Sequence, residues 1–270
     1  MRTTLGLVTL ALVGVAGCSV STAPGSITFK SQTRFTSPDI TKTSAKDWSG
    51  EAIEINDDGT SVSVNGGLRV IGDPTAKRIT ITARVIAYAD ADDEANAKLS
   101  IAEAQQTLTI TEEAQKITVR CGHGQTHGSS KPDKSGCELL TVTIPSGDAT
   151  TPLNLTVGCG NGDITLSRVT GQILVEENGT GSINASVNPA KGKPIQITGK
   201  QGNDVTVALP ADFAADQVVL SAEPASKISN AFSDVQSGSG RGTQGTGASK
   251  ITITSTPFAG SSGTVSLTKQ

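Results

Sequence analysis

The chain has 270 residues, with 25 acidic and 22 basic side chains and a formal net charge of −3. Its aromatic residues are five Phe, one Trp and one Tyr. There is no basic stripe and no interleaving of Arg with aromatic residues, which excludes nucleic acid as a partner. About 250 residues remain beyond the leader described next, enough for one β-rich domain.

Residues 1–17 read as a leader. Arg2 precedes an apolar run, and small residues stand just before Cys18. The run is too short to span a bilayer and is typical of a signal peptide. Residues 15–18 resemble the bacterial lipobox, which implies cleavage before Cys18 and its acylation, with palmitate among the chains. The alternative is an ordinary secretory signal. We expect a lipid-anchored envelope protein attached to the membrane through Cys18, and Ser19 favours the outer over the inner membrane.

The next segment, residues 18–46, has the composition of a tether. Positions 19–46 hold 12 Ser or Thr among 28 residues, with only scattered apolar side chains. Such a segment buries too little apolar area to offset its ordering entropy. We expect it to space a folded domain, residues 47–270, from the lipid surface, with Ile27, Phe29 and Phe35 available to dock as a first strand.

Strand patterns begin after Trp48. Apolar residues alternate at Ile53 and Ile55 and again in later runs, and alternation of this kind indicates half-buried strands. The sequence Asp57-Asp58-Gly59 lies between two such runs, which favours a turn over a catalytic or calcium-binding carboxylate pair.

One helix interrupts the strands, at about residues 91–107. The segment is rich in Ala, Glu and Gln, and Asp90 or Asp92 can cap its start. We expect it to pack on the sheet through one face, formed by Ala95, Leu99, Ala102 and Leu108.

Residues 121–137 form a polar loop that begins and ends with cysteine. With Cys18 assigned to lipid, Cys121 and Cys137 are the natural disulfide pair in an exported protein. Closing this loop stabilises the fold by about 3 kcal/mol in the chain-entropy model. Cys159 continues an alternating apolar run, so we expect a buried thiol that acts as a small apolar residue.

The loop also contains both histidines of the chain. Cys121, His123, His127 and Cys137 together offer two thiolates and two imidazoles, which would suit zinc or copper. The spacing is not that of a zinc finger, and an oxidising compartment favours the disulfide. A metal- or redox-responsive loop remains the alternative, and we otherwise expect no cofactor.

A repeat follows Cys159. Gly162, Gly171 and Gly181 lie nine and ten residues apart, and each precedes a short alternating strand. The pattern predicts an all-β single domain of the β-solenoid or β-helix type, in which stacked turns bury a continuous core. A meander or a sandwich is the alternative.

Two features close the chain. Residues 237–249 have the composition of a flexible loop. Val265 and Leu267 mark the final strand, where Lys269 is a candidate for protecting an exposed sheet edge.

Several stretches resemble the putative-adhesin family of bacterial envelope lipoproteins. They are the early alternating hairpin, the Gly-Asp-Ile turn, DVTVALPADFAADQVVLSAEP and the terminal ITITSTPFAGSSGTVSLTK. The resemblance covers about residues 51–269 and implies a β-helical domain with a surface or adhesion role. The helix and the Cys-His loop depart from the plain family pattern.

We therefore expect a non-enzymatic adhesion or interaction scaffold whose partner is an envelope protein or a glycan. The competing class is a polysaccharide-active β-helix enzyme, which needs clustered carboxylates and aromatic platforms for sugars. No Ser/His/Asp set can be placed, and Trp48 and Tyr88 are the only large polar aromatic residues.

Overall fold

The computed structural model describes residues 18–23, 26–57, 66–90, 94–125 and 134–270. Within these ranges the chain is mostly β, with one α-helix, and its strands form a large mixed sheet. The helix is α1 (Glu94–Thr107), and a 3-10 turn covers Ala225–Lys227. The strands are β1 (Cys18–Ala23), β2 (Ser26–Thr36), β3 (Ile40–Thr43), β4 (Ala52–Asp57), β5 (Gly67–Asp73), β6 (Thr80–Asp90), β7 (Thr109–Glu112), β8 (Lys116–Cys121), β9 (Lys134–Pro145), β10 (Leu153–Cys159), β11 (Ile164–Glu177), β12 (Ile183–Pro189), β13 (Ile195–Gly199), β14 (Val205–Leu209), β15 (Val218–Ser221), β16 (Ile228–Asn230), β17 (Ile251–Ser255) and β18 (Val265–Lys269).

Most of these strands belong to two parallel rows. The first row runs, in spatial order, β8, β4, β10, the second half of β11 (171–177), β13, β17 and β15. The second row runs β9, β5, the first half of β11 (164–167), β12, β14, β18 and β16. Apart from β6, α1 and β7, the chain from β4 onward alternates between the rows.

The inward positions of each row repeat from strand to strand. Ile53, Leu155, Ile173 and Ile195 share one register position of the first row, and each is at most 1% exposed. Because successive residues of a strand point to opposite faces, alternation in sequence becomes one buried and one outer face. The buried faces of both rows contribute to one hydrophobic core.

Spatial order departs from chain order at both ends of the rows. β8 and β9 lie outside β4 and β5, although they follow them in sequence. At the other end, β15 and β16 lie outside β17 and β18. The expectation that β18 would form the exposed last edge, with Lys269 protecting it, is therefore wrong, because β18 lies between β14 and β16.

The outer edge of β15 is covered by the segment predicted to be a flexible loop, residues 237–249. Val218 donates its N–H to the Ser239 carbonyl (2.7 Å), and Leu220 donates its N–H to Ser237 Oγ (3.0 Å). Ala248, in the same segment, is fully buried. This backbone bonding occupies donors that an exposed strand would otherwise offer to another chain.

The helix lies close to its predicted position, with residues 91–93 outside the described ranges, but it uses a different face. Its buried residues are Ala97, Ser100, Ile101 and Ala104. Of the predicted face only Leu108, just beyond the helix, is buried, whereas Leu99 is 53% exposed. Small side chains decide the outcome, because Ala97, Ser100 and Ala104 let the helix backbone approach the sheet closely.

The segment predicted to be a tether, residues 18–46, is in strands over most of its length. β1 and β2 form an antiparallel pair. The end of β2, from Gln32 to Thr36, and all of β3 pair antiparallel with β6. The far end of the segment is therefore paired with β6, and the spacer role stays a prediction.

Glycines mark one corner where the chain passes from the first row to the second. Gly162 has φ +113°, and a Cβ placed on it would lie 1.3 Å from the Gly66 carbonyl oxygen. A Cβ on Gly181 would lie 2.1 Å from the Gly162 carbonyl oxygen. Asp163, the next residue, accepts hydrogen bonds from the N–H and hydroxyl of Ser182 on the adjacent turn (both 2.8 Å). The Gly-Asp-Ile turn thus binds the corresponding corner between β11 and β12.

Gly162→Ala is expected to lower the free energy of unfolding by about 3 kcal/mol or more, because it combines backbone strain with a backbone clash. Gly192 is the matched control: it has φ +68°, but no atom lies within 4 Å of an added Cβ. Gly192→Ala is expected to cost about 1 kcal/mol, from backbone strain alone. Urea unfolding of both variants measures the difference, and equal losses would contradict close backbone approach at the corner.

Candidate functional site

The structure joins Cys121 and Cys137 in a disulfide, the pairing expected from the sequence. The Cα atoms are 6.3 Å apart, the S–S bond is 1.97 Å and both residues are fully buried. The bond connects the end of β8 to the start of β9, where the chain passes from the first row to the second. The middle of the loop, residues 126–133, lies outside the described ranges.

Of the four predicted metal ligands, the two cysteines are joined to each other and only one histidine lies within the described residues. His123 is exposed, and His127 lies outside the described residues. Both sulfur atoms are bonded to each other, and a metal would need them as thiolates. Among the residues that the structure describes, there is no group of three or more His, Cys, Asp or Glu positioned to hold a metal ion.

The start of the loop packs under α1. Ser100 Oγ donates to Gln125 O (3.0 Å) and contacts Ser135 Oγ at 2.8 Å, while Gly124 donates its N–H to Ser135 Oγ (2.9 Å). A Cβ on Gly124 would lie 2.0 Å from the Ser100 carbonyl oxygen. The helix and the Cys-His loop, which both depart from the family pattern, are therefore packed against each other.

Beside the disulfide, polar residues occupy one inward register position of the first row. Cys121 is opposite Asp57, Asp57 is opposite Cys159, and Cys159 is opposite Glu177. The position continues through Gly199 to Ser255. We call Asp57, Cys159 and Glu177 the acidic column. Their exposures are 2%, 1% and 0%, in that order.

The acidic column contradicts one prediction made from the sequence and confirms another. Asp57 was expected in a turn, but it is the last inward residue of β4. Cys159 is a buried free thiol, as expected. The signal that could have identified the column is the alternation itself, which extends one position beyond Ile55, Val157 and Val175 and reaches Asp57, Cys159 and Glu177.

Burial controls the protonation of the column. Burial is the main cause that raises the pKa of Glu177 to about 7; the charges of Asp57 and Asp163 act in the same direction, and the hydrogen bonds from Gly179 N–H (3.0 Å) and Cys159 oppose it. Glu177 Oε2 has no hydrogen-bond partner within the described ranges. Burial, followed by the charges of Asp57 and Glu177, strongly raises the pKa of the Cys159 thiol, which donates to Asn161 O (3.3 Å).

This chemistry is structural and not reactive. A thiol with a raised pKa is a poor nucleophile, because the thiolate is the reactive form. Asp57 stands between Cys159 and the disulfide, and two strand spacings of about 4.8 Å each separate Cys159 from Cys121. That separation exceeds the reach of a disulfide exchange without movement of the backbone.

Cys18 begins β1, where it is opposite Ser31 of β2. Its acylation stays a prediction. Across the residues that the structure describes, no helix combines the length and the apolar composition needed to cross a bilayer.

No family model matches the chain, and no curated protein is significantly similar to it. The chain is similar to the crystal structure of a putative cell adhesion protein from Clostridium sporogenes ATCC 15579, at 11% identity over 86% of this chain and 100% of that chain, with a TM-score of 0.49. It is also similar to the crystal structure of a putative adhesin from Bacteroides fragilis NCTC 9343, at 12% identity over 86% of this chain and 97% of that chain, with a TM-score of 0.23. Neither similarity assigns an activity to the chain.

Glu177 is expected to make stability depend on pH. The pKa of Glu177 in the fold is about 7, against an ordinary value of 4.5, so between these values the folded state binds more protons than the unfolded state. Stability therefore falls as the pH rises from 4.5 to 7, by about 3 kcal/mol at most. Glu177→Gln cannot ionise and should remove this dependence, as measured by urea unfolding at pH 5 and pH 8.

Glu176→Gln is the control, because Glu176 lies on the same strand but faces outward, where it pairs with Lys200 (3.2 Å). It should retain the pH dependence of the parent chain. An unchanged dependence in Glu177→Gln would show that Glu177 is not responsible.

Proposed function

We propose that this chain is an exported, lipid-anchored, non-enzymatic adhesion scaffold of the bacterial cell envelope. The observation that carries the proposal is the outer face of the second row, across β11, β12, β14 and β18. We call this surface the hydroxyl face. It consists of the outward residues Thr165, Ser167, Asn184, Ser186, Thr206, Ala208, Ser266 and Thr268.

The hydroxyl face is uncharged and built from short side chains. Thr favours strands, but Ser, Asn and Ala do not, so strand propensity does not account for Ser186, Asn184 or Ala208 in adjacent strands. The outer face of the first row is different, because it has cross-strand ion pairs such as Lys116–Glu54 (3.0 Å). Hydroxyl and amide groups both donate and accept hydrogen bonds, so this surface suits contact with one that carries many hydrogen-bonding groups.

The proposed location rests on the disulfide and on the lipidation motif. The disulfide between Cys121 and Cys137 supports an oxidising compartment outside the cytoplasm. The leader and Cys18 support lipid attachment, with the outer membrane favoured. Several acyl chains on one residue would hold the protein stably at the membrane, since one chain alone binds marginally.

The scaffold would be a β-solenoid. Alternation between the two parallel rows is the connectivity that such a fold requires, because each pair of consecutive strands makes one turn of the coil. The second row aligns like positions of successive turns at about 4.8 Å, which makes the hydroxyl face regular and rigid.

Buried chemistry supports a non-enzymatic role. The acidic column contains two carboxylates and a thiol, but Asp57 and Glu177 are at most 2% exposed, so a substrate cannot reach them. His123 is exposed on the disulfide loop, whereas covalent catalysis needs a base within hydrogen-bond reach of a nucleophile.

Anchoring is tested by Cys18→Ser in a Gram-negative host. The parent chain should sediment with the outer-membrane fraction and incorporate labelled palmitate. The variant should move to the soluble periplasmic fraction, because its N-terminus has no acyl chain. If Cys18→Ser stayed in the membrane fraction without label, lipid anchoring would be contradicted. Adhesion would be unaffected by that result, because the next experiment tests it separately.

Adhesion is tested with beads coated with the Cys18→Ser chain and washed over intact bacteria and immobilised polysaccharides. Two paired outward residues of the hydroxyl face, Asn184 and Thr206, are replaced together by Arg. Retention should fall about tenfold, because the long charged side chains hold the surfaces apart.

The matched control replaces Gln196 and Thr252, the equivalent pair on the first row, by Arg. It introduces the same charges and should leave retention unchanged. Equal losses in both variants would argue against the hydroxyl face. Absence of any retention, or shortening of a polysaccharide by the chain, would overturn the adhesion scaffold itself.

A further inference from the structure

A cleft of about 530 Å³ lies beside Trp48, where the segment before β4 meets the turns that follow β5 and β9. We call it the Trp48 cleft. Its charged lining residues are Asp47, Asp73, Lys77 and Asp148. The volume lies in the range of small-molecule sites, which combine an apolar surface with a few fixed polar groups.

Trp48 is held rigidly in this cleft. Its indole Nε1 donates to the Glu51 carbonyl oxygen (2.8 Å), and its backbone N–H donates to Lys77 O (2.7 Å). The side chain packs against the hydrophobic core while also lining the cleft. An aromatic ring fixed in this way presents a preformed apolar platform at little cost in conformational entropy.

The support behind Trp48 is charged and also rigid. Glu51 is 8% exposed and accepts hydrogen bonds from Ser49 N–H (2.7 Å) and Oγ (3.1 Å). Backbone hydrogen bonding at Ser49 is the largest of the effects that lower the pKa of Glu51 to about 2. The segment that carries the indole is therefore held in one arrangement across the physiological pH range.

Two carboxylates of the cleft are oriented by their own turns. Asp73 Oδ1 accepts from Thr75 N–H (2.8 Å) and Oγ1 (2.7 Å). Asp148 Oδ1 accepts from Thr150 N–H (2.7 Å), Thr150 Oγ1 (2.6 Å) and Thr151 N–H (2.7 Å). All these bonds go to Oδ1, so Oδ2 of each carboxylate takes none of them. Each Oδ2 is an acceptor for a hydroxyl group of a ligand.

From this juxtaposition we infer that the Trp48 cleft binds a neutral saccharide chain, a claim that rests on the proposed function and specifies its ligand. A sugar ring has an apolar C–H face, which matches the indole, and hydroxyl donors, which match the carboxylates. Hydrogen bonds from hydroxyls to carboxylates are short and strong. A second depression of about 550 Å³ shares Asp47, Asp73, Ala76 and Lys77 with the cleft, so more than one sugar unit fits along it.

Charge selects among saccharides. The cleft and the adjoining depression have three carboxylates, Asp47, Asp73 and Asp148, against two cations, Lys77 and Arg78, and Arg78 is paired with Asp47 at 2.8 Å. The lining retains one negative charge in excess, which disfavours uronic acids and leaves neutral sugars as the matching class. A basic peptide is the competing ligand class, and salt separates the two, because ionic attraction is screened at high ionic strength and stacking is not.

The test uses the fluorescence of Trp48, the chain's one Trp, so that the emission reports on the cleft directly. The Cys18→Ser chain is titrated with tetrasaccharides of glucan, mannan, galactan and chitin, with tetragalacturonate and tetralysine as probes of charge. The expected result is a saturable emission shift with at least one neutral tetrasaccharide, unchanged in 0.5 M salt, and none with tetragalacturonate. At about 0.5 M salt the attraction between exposed charges is largely screened, so the salt step separates saccharide binding from peptide binding.

Asp148→Asn retains an oxygen for the turn bonds but has no charge on the second atom, and it should weaken the saccharide about tenfold. Asp204→Asn is the matched control, because Asp204 Oδ1 binds Thr264 N–H and Oγ1 in the same way (both 2.8 Å) outside the cleft. It should leave the affinity unchanged.

No shift with any neutral tetrasaccharide, equal losses in the two Asn variants, or a salt-sensitive shift with tetralysine alone would each overturn the saccharide site. In that case, bead retention that still depends on the hydroxyl face would support the adhesion scaffold without the saccharide site. Loss of bead retention with a normal fluorescence titration would support the saccharide site and overturn the adhesion scaffold.

Discussion

In-register stacking of parallel strands is the constraint on which the rest of the structure depends. Each inner strand of a row takes its hydrogen bonds from the strands on both sides, so the cross-section of the rows must repeat from strand to strand. Side chains can differ only where the cross-section tolerates it. At the corner of Gly162 and Gly181 it tolerates no Cβ at all, and at the inward position of Ile53 and Leu155 it takes only a large aliphatic group.

A stack of this kind has two ends, and each end needs a cover. At one end β6 pairs antiparallel with β9, and β7 pairs antiparallel with β8, so both rows end against strands of opposite direction. At the other end a cluster closes the core: Phe213 and Phe232 meet edge to face at 5.1 Å, and the Arg241 guanidinium lies 4.6 Å and 4.9 Å from their ring centres. Covers of this kind occupy groups at the ends of the rows that could otherwise pair with a second chain.

The sequence predicts the local features of this fold and misses the non-local ones. Alternation identifies the inward residues, and the glycine spacing identifies the turns, because both depend on neighbouring residues. The placement of β8 outside β4 depends on which strands pair, a choice that no local pattern records. The buried face of the helix was predicted wrongly because Ala97 and Ser100 allow close packing of the helix on the sheet, whereas the sequence pattern marks a face only by its large apolar residues. The acidic column was missed because Asp and Glu are residue types that rarely occupy fully buried positions, so the alternation was not followed as far as Asp57 and Glu177.

The outward positions are where folding leaves the most freedom, so their composition is the most informative about function. Stacking decides the inward residues and the corners, but Thr206 or Ser186 could be replaced by Lys or Glu without disturbing either. Cross-strand pairs of opposite charge would even add a few tenths of a kcal/mol each, and the first row uses them, as in Lys116–Glu54. The four described strands of the hydroxyl face lack such pairs, so this stabilisation is not used there. Short uncharged side chains at positions where paired charges would stabilise the sheet are therefore not explained by folding, and they are the observation on which the adhesion proposal rests.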